Sequence, residues 1–298
     1  MIDFINRTSS LYLITVFIWG STFYAIKFQL GPVAVEISLI YRFLLASVIL
    51  FVFCLLKKRN LRFNLSEHFF IFLQGLFLFS ANYLVVYWAT DMLITGVIAL
   101  IFSTVILMNM INGAIFLRQS VSLRVILGSL TGVAGIAAVF WSEIAGMQNN
   151  DSTWLGLCLC LLATFSASVG NILSARNQKY DLPVVQTNAW GMAYGSLIMA
   201  VYALSQGSTI SYDLSLSYSL SLLYLSIFGS VFAFGSYLTL IGRIGANKSA
   251  YSAVLYPVIA LSISTLLEDY RWTLAAICGF GLVLLGNFLV LKSPAKVK

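Results

Sequence analysis

What most restricts this chain is a succession of apolar runs, each about twenty residues long and nearly free of charge. From Phe43 to Leu56, for instance, there is no acidic or basic side chain. Runs of that length suit helices that cross a hydrocarbon layer about 30 Å thick. The strands of a membrane barrel would be about ten residues each and would alternate polar with apolar. Composition agrees: 60% of the 298 residues are hydrophobic and 9% are charged, against roughly a quarter charged in soluble domains. There is too little charge to cover a water-facing surface. The chain reads as an all-α membrane protein with the lipid bilayer as its solvent.

Ten spans can be drawn, at about 11–30, 36–56, 68–88, 96–117, 123–141, 154–174, 184–204, 217–239, 246–267 and 273–291. The first follows ten residues with one arginine and no signal-peptide design, so it is expected to be retained. Cations set the orientation. Arg7, the Lys57-Lys58-Arg59-Arg62 loop, Arg118, Arg124, Arg176, Lys179, Arg243, Lys248 and the tail Lys292, Lys296 and Lys298 share one side. Glu36, Asp91, Glu143, Asp151, Asp213, Glu268 and Asp269 mark the other. Both termini are therefore expected in the cytoplasm.

The two halves repeat each other. A shift of 154 lays Gly75 on Gly229, Tyr83 on Tyr237, Leu84 on Leu238 and Ala99 on Ala253. The glycines Gly128 and Gly135 match Gly279 and Gly286 at a shift of 151. A period of half the chain marks a duplicated architecture. Five spans per half is an odd number, so the second copy enters from the opposite face. The expectation is two inverted five-helix repeats, residues 1–147 and 148–298, joined through the polar loop 143–153. Secondary transporters are often built this way.

No enzyme signature is present: no H-E-x-x-H, G-x-S-x-G, Walker loop or Asp-rich pair. Cys54, Cys158, Cys160 and Cys278 lie in apolar runs without C-x-x-C spacing, and His68 is the only histidine, so no metal or cofactor is expected. The net charge of +7 does not point to nucleic acid, because its cations sit in short loops rather than on one face.

The polar residues inside spans are the candidates for solute contact. Arg42, with Tyr41 beside it, sits about two turns into the second span, where a charge costs several kcal/mol unless it is paired or wetted. It could hold an anionic group, pair with Glu36 or reach for the headgroups. Trp19, Ser21 and Thr22 could wall a cavity or serve helix packing. Lys27 lies near an outer end and could snorkel. Further candidates are Asn82 and Tyr83 with their repeat partners Ser236 and Tyr237, then Ser103, Thr104, Asn109, Asn171, Tyr251 and Tyr256. Pro257, deep within a span, frees a backbone carbonyl and offers a hinge. The small-residue patterns Gly128–Gly132 and Gly191–Gly195 are helix contacts without chemistry.

The Trp19-Gly20-Ser21-Thr22 opening, Arg42-Phe43, the doubled five-helix unit and Leu267-Glu268 followed by Gly279 and Gly286 resemble the EamA-type drug/metabolite transporters across residues 11–291. That resemblance implies ten helices in two inverted halves. It also implies a central cavity lined by the first, third, fourth, sixth, eighth and ninth helices, and export of amino acids or related small metabolites across the inner membrane. A homodimer stays open. One departure stands out: Phe116-Leu117-Arg118 replaces the glutamate usual at the end of the fourth helix, while Glu268 keeps its counterpart. The rival readings are a small-multidrug-type proton exchanger of organic cations, which needs a mid-membrane carboxylate, and a membrane receptor or assembly protein.

Overall fold

The computed structural model describes residues 8–117, 123–139, 151–249 and 252–291, and among these there are helices and short connections but no strand. In chain order they are α1 (Thr8–Lys27), α2 (Val35–Leu56), α3 (Leu65–Met92), α4 (residues 95–117) and α5 (Leu123–Val139). Then come α6 (Asp151–Lys179), α7 (Val184–Gln206), α8 (residues 216–249), α9 (Ser252–Leu267) and α10 (Leu274–Leu291). Six of them, α1, α2, α3, α4, α6 and α8, are long and apolar enough to cross a bilayer. The apolar stretches of α5, α9 and α10 are shorter. Residues 1–7, 140–150 and 292–298 lie outside the described residues, and with them most of the expected linker and the terminal cations.

Local chemistry sets the helix ends. Asn64 caps α3: the Glu67 N–H donates to its side chain at 2.9 Å, and its own N–H donates to the Glu67 carboxylate at 2.7 Å. This is a reciprocal capping box. Gly207, at φ +68°, closes α7 in the left-handed conformation that a side chain resists. The expected break between 239 and 246 appears as a turn at Gly245 (φ +83°, ψ 157°), inside a segment that is otherwise helical to Ser249.

The distribution of polarity inverts that of a soluble protein. Phe17, Leu55, Leu130 and Leu204 are exposed on the outside, whereas Gln74, Asn82, Asn109, Asn171, Asn177 and Asn188 are buried. In hydrocarbon the apolar face costs nothing to expose, and polar groups must find partners inside. Helices in lipid gain no hydrophobic drive toward one another, so small residues that permit close backbone approach decide the contacts.

The glycines picked out by the repeat do this. A Cβ on Gly135 would meet the Gly279 carbonyl at 2.6 Å, and one on Gly279 would meet that of Gly135 at 2.5 Å. A Cβ on Gly286 would meet the Gly128 carbonyl at 2.5 Å. With 128 opposite 286 and 135 opposite 279, α5 and α10 run antiparallel. α2 and α7 do the same: Ser208, just past the end of α7, donates to Glu36 at the start of α2. At the far end, the Trp190 indole donates to the Leu61 carbonyl at 3.1 Å.

Besides the turn at Gly245, three irregularities interrupt the described helices. α3 and α8 each contain a π segment, Phe77–Ala81 and Leu225–Phe232, and under the 154 shift Phe77 falls inside the second. α4 breaks at Ser103-Thr104, between Thr95–Phe102 and Val105–Leu117. Such breaks often accompany functional sites.

Candidate functional site

At the centre of the bundle α1, α3, α4, α6, α8 and α9 enclose a cavity of about 50 Å³. These are the six helices that the resemblance implies around a central cavity. Trp19 anchors its wall. The indole N–H donates to the Gly229 carbonyl at 3.1 Å, and the ring meets Phe234 edge-on at 4.8 Å, Tyr237 at 5.0 Å and Tyr256 at 5.8 Å. Phe23 and Phe102, in edge contact at 5.8 Å, form another side. The polar part is neutral: Thr22, Asn82 and Asn171. Among the described residues, no acidic or basic side chain lines this cavity.

The two asparagines are incompletely satisfied. Asn82 donates to the Leu78 carbonyl at 3.5 Å and Asn171 donates to Asn109 Oδ1 at 3.4 Å, yet both Oδ1 atoms lack a partner. The Asn109 Nδ2 is also unpartnered. A buried polar group left in this state costs about 1–3 kcal/mol, which a bound solute or water would relieve. A volume of this size holds a few waters, at ~10–15 Å³ for each probe position. Ligand pockets usually offer some 300–1,000 Å³. The cavity is therefore small beside such pockets, and a solute of that size would fit only if the helices around it moved apart.

Polar clasps close the bundle on both sides of the cavity. At the Lys27 end, Glu268 accepts from Lys27 at 3.1 Å and from the hydroxyls of Thr95 and Ser264 at 2.5 Å each. Ser264 in turn accepts from the Gly96 N–H at 2.9 Å. One carboxylate thus ties α1, α4 and α9. At the Lys179 end, Asn177 donates to Gln74 at 3.0 Å and Gln74 donates to Asn188 at 3.2 Å, tying α3, α6 and α7. The Gln178 amide donates to the Leu238 carbonyl at 3.0 Å and brings in α8.

Among the sequence candidates, Trp19, Thr22, Asn82, Tyr83, Asn171, Tyr237 and Tyr256 meet at the cavity. Others lie elsewhere. Ser21 points sideways, 2.7 Å from the Tyr224 hydroxyl, into an open groove between α1, α8 and α9. Tyr41 donates to the Ser211 carbonyl at 2.9 Å near the Lys27 end. Ser103 and Thr104 return their hydroxyls to the carbonyls of Leu100 and Ile101, at 2.7 and 2.6 Å, while Phe102 and Val105 face the cavity. Pro257 is buried in α9, and Tyr251 lies outside the described residues. The lining residues not singled out in the sequence are Phe23, Ile26, Leu78, Val86, Phe102, Val105, Ala167 and Phe234. They carry no signal there, since an apolar residue in a membrane helix looks the same whether it faces lipid or cavity.

Arg42 does not line the cavity, but it lies directly behind its wall. It is fully buried, with its guanidinium 4.3 Å from the Tyr83 ring centre and 5.2 Å from that of Phe43. Its Nε donates to Ser230 at 3.1 Å and Nη1 to the Tyr87 hydroxyl at 3.4 Å; Nη2 has no partner. Neither alternative weighed for it is found. Glu36 is engaged by Ser208, and the side chain does not reach the surface. Lys27 pairs with Glu268, the only salt bridge among the described residues.

The comparisons with known proteins agree with this architecture. The sequence profile of the EamA-like transporter family matches residues 7–141 and again 154–292. The chain belongs to the EamA-like transporter family. Like other members it is a multi-pass membrane transporter, not an enzyme. It is 25% identical over 283 residues to an "Uncharacterized transporter" of Archaeoglobus fulgidus, covering 94% of this chain and 96% of that one. It is 26% identical over 286 residues to the "Uncharacterized inner membrane transporter YedA" of Escherichia coli K12, covering 93% and 90%. A crystal structure sharing 15% identity superposes with a TM-score of 0.70 over 95% of both chains, a likeness of fold alone.

Proposed function

We propose that this transporter moves a small metabolite, an amino acid or related compound, outward across the inner membrane by alternating access. All ten helices cross the bilayer on this reading, as two inverted halves, residues 1–147 and 148–298, with both termini in the cytoplasm. The observation that carries it is the contracted cavity held between two polar clasps. A contracted centre with unpaired amide oxygens is what a carrier would present between its two open forms. The antiparallel pairing of α2 with α7 and of α5 with α10 supports the inversion, as does the double match of the family profile. The outward direction rests on the family resemblance. A proton exchanger of organic cations is disfavoured because no carboxylate lines the cavity among the described residues.

The test is counterflow in proteoliposomes. Purified protein is reconstituted with an unlabelled mixture of amino acids and their amides inside, and labelled members are offered outside one at a time. Accumulation of at least one above protein-free vesicles is expected. If every member stays at background in both gradient directions, the carrier reading for this substrate class fails.

A further inference from the structure

Arg42 is the most buried charge among the described residues, and none of them gives it a counter-charge. Each of its partners is neutral: Ser230, Tyr87 and the rings of Tyr83 and Phe43. Of the carboxylates at its end of the bundle, Glu36 is held by Ser208 and Glu268 by Lys27, Thr95 and Ser264, while Asp91 is exposed at the vestibule and makes no ion pair with it. A cation this far from water survives on hydrogen bonds and ring faces only in part, and an anion completes it.

The surroundings are built to present the guanidinium. The π segment of α8 sets Gly229 and Ser230 side by side against α2. Ser230 donates back to the Leu225 carbonyl at 2.9 Å, five residues earlier, which leaves its oxygen free to accept from Nε. Gly229 keeps the space beside the orphan nitrogen open. A Cβ there would stand 3.3 Å from Nη2 and 3.0 Å from the Thr22 methyl. Thr22 and Tyr83 belong to the central cavity, whereas Tyr87 lines a separate vestibule of about 400 Å³ with Trp88 and Asp91. The guanidinium thus sits between the two spaces, one aromatic ring from each.

We propose that Arg42 is an anion subsite that takes the carboxylate of the transported solute, with Nη2 as its first open donor. The solute's apolar or aromatic part would occupy the cavity around Trp19. This rests on the transporter reading and narrows it: a solute carrying a free carboxylate is preferred over the same molecule as its amide. Entry requires the Tyr83 ring to turn away from the guanidinium, since that ring now separates the cavity from the charge.

Matched pairs test it on the full-length purified protein: L-phenylalanine with L-phenylalaninamide, L-leucine with L-leucinamide, and indole-3-acetate with indole-3-acetamide. Binding is read from thermal stabilisation in a chloride-free buffer and then with chloride added. At least one carboxylate is expected to bind tenfold or more tightly than its amide, and Arg42→Gln to abolish that preference. Arg42→Lys, which keeps the charge without the planar fork, is expected to bind at least threefold more weakly, and it decides the matter if Arg42→Gln does not fold. Equal binding of acid and amide would overturn the proposal, as would wild-type affinity in Arg42→Lys or no binding by any acid. So would chloride alone stabilising the protein through Arg42, which would make a resident halide the partner. Counterflow of the amides with no preference for the acids would refute the subsite and leave the transporter reading standing. Background flux of every member would refute the transporter reading itself.

Discussion

Lys27 and Glu268 form one ion pair, but its two ends are not equivalent. The lysine side chain is 52% exposed and the glutamate 3%. Removing the lysine leaves a carboxylate still bound by two hydroxyls, and an exposed pair contributes below about 1 kcal/mol. Removing the glutamate strands the Thr95 and Ser264 hydroxyls and unties α1, α4 and α9; hydrogen bonds to a charged group are worth about 1.5–3 kcal/mol each. Lys27→Met is therefore expected to leave the melting temperature nearly unchanged, and Glu268→Ala to lower it clearly. In a background without the native cysteines, Glu268→Ala should also increase labelling of a cysteine at Ala167, in the cavity wall, from the Lys27 side. Equal effects from the two substitutions would show that the clasp is not organised around the carboxylate. Arg42 stands out in the sequence because a lone cation in an apolar run has few bland explanations. Its partners Tyr87 and Ser230 do not, because nothing local to either residue reports a contact across helices.

At the scale of elements, the helix limits are legible wherever a polar loop interrupts an apolar run, as between α2 and α3. They fail where a helix stays regular through polar residues. α6 runs on to Lys179 because Asn171, Ser174, Asn177 and Gln178 point into the bundle and find partners there. The break in α4 is invisible for the opposite reason, since Phe102, Val105 and their neighbours form an unbroken apolar run around two small hydroxyl residues. Pro257 is the irregularity that the sequence does announce. It lacks the N–H that would reach the Ala253 carbonyl, so α9 can bend there at little cost. Pro257→Ala restores that bond and a better helix former. The melting temperature is expected to hold or rise while transport slows several-fold, because α9 carries both Tyr256 in the cavity wall and, just beyond its end, the Glu268 clasp. Stability and flux moving in opposite directions separates a hinge from simple damage. Wild-type flux in this variant would make the proline an ordinary kink.

At the scale of the whole molecule, the repeat in the sequence is legible as a period but not as a geometry. A shift of 154 says that two stretches are alike; only the contacts say how they face. Glu36 beside Ser208 and Leu61 beside Trp190 put the loop after α2 and the loop after α7 at opposite ends of the bundle. On the proposed duplication these loops are equivalent, each following the second helix of its half, and their separation is what the proposed inversion requires. Their charges differ in the sense that membrane insertion reads. Residues 57–62 hold Lys57, Lys58, Arg59 and Arg62, whereas residues 207–215 hold no cation and include Asp213. In a cysteine-free background, single cysteines replace Asn60 and Thr209, both exposed. An impermeant maleimide added to intact cells is expected to label Thr209→Cys and spare Asn60→Cys, with the reverse in inside-out vesicles. Labelling of both from one side would mean that the two halves enter the membrane in the same sense. The antiparallel seams α2–α7 and α5–α10 could not then lie across the bilayer, and the alternating-access proposal would lose its frame. Labelling from opposite sides but in the reversed sense would keep the inverted repeat and turn the molecule over. Arg42 would then face the cytoplasmic vestibule, and the Glu268 clasp would become the inner gate.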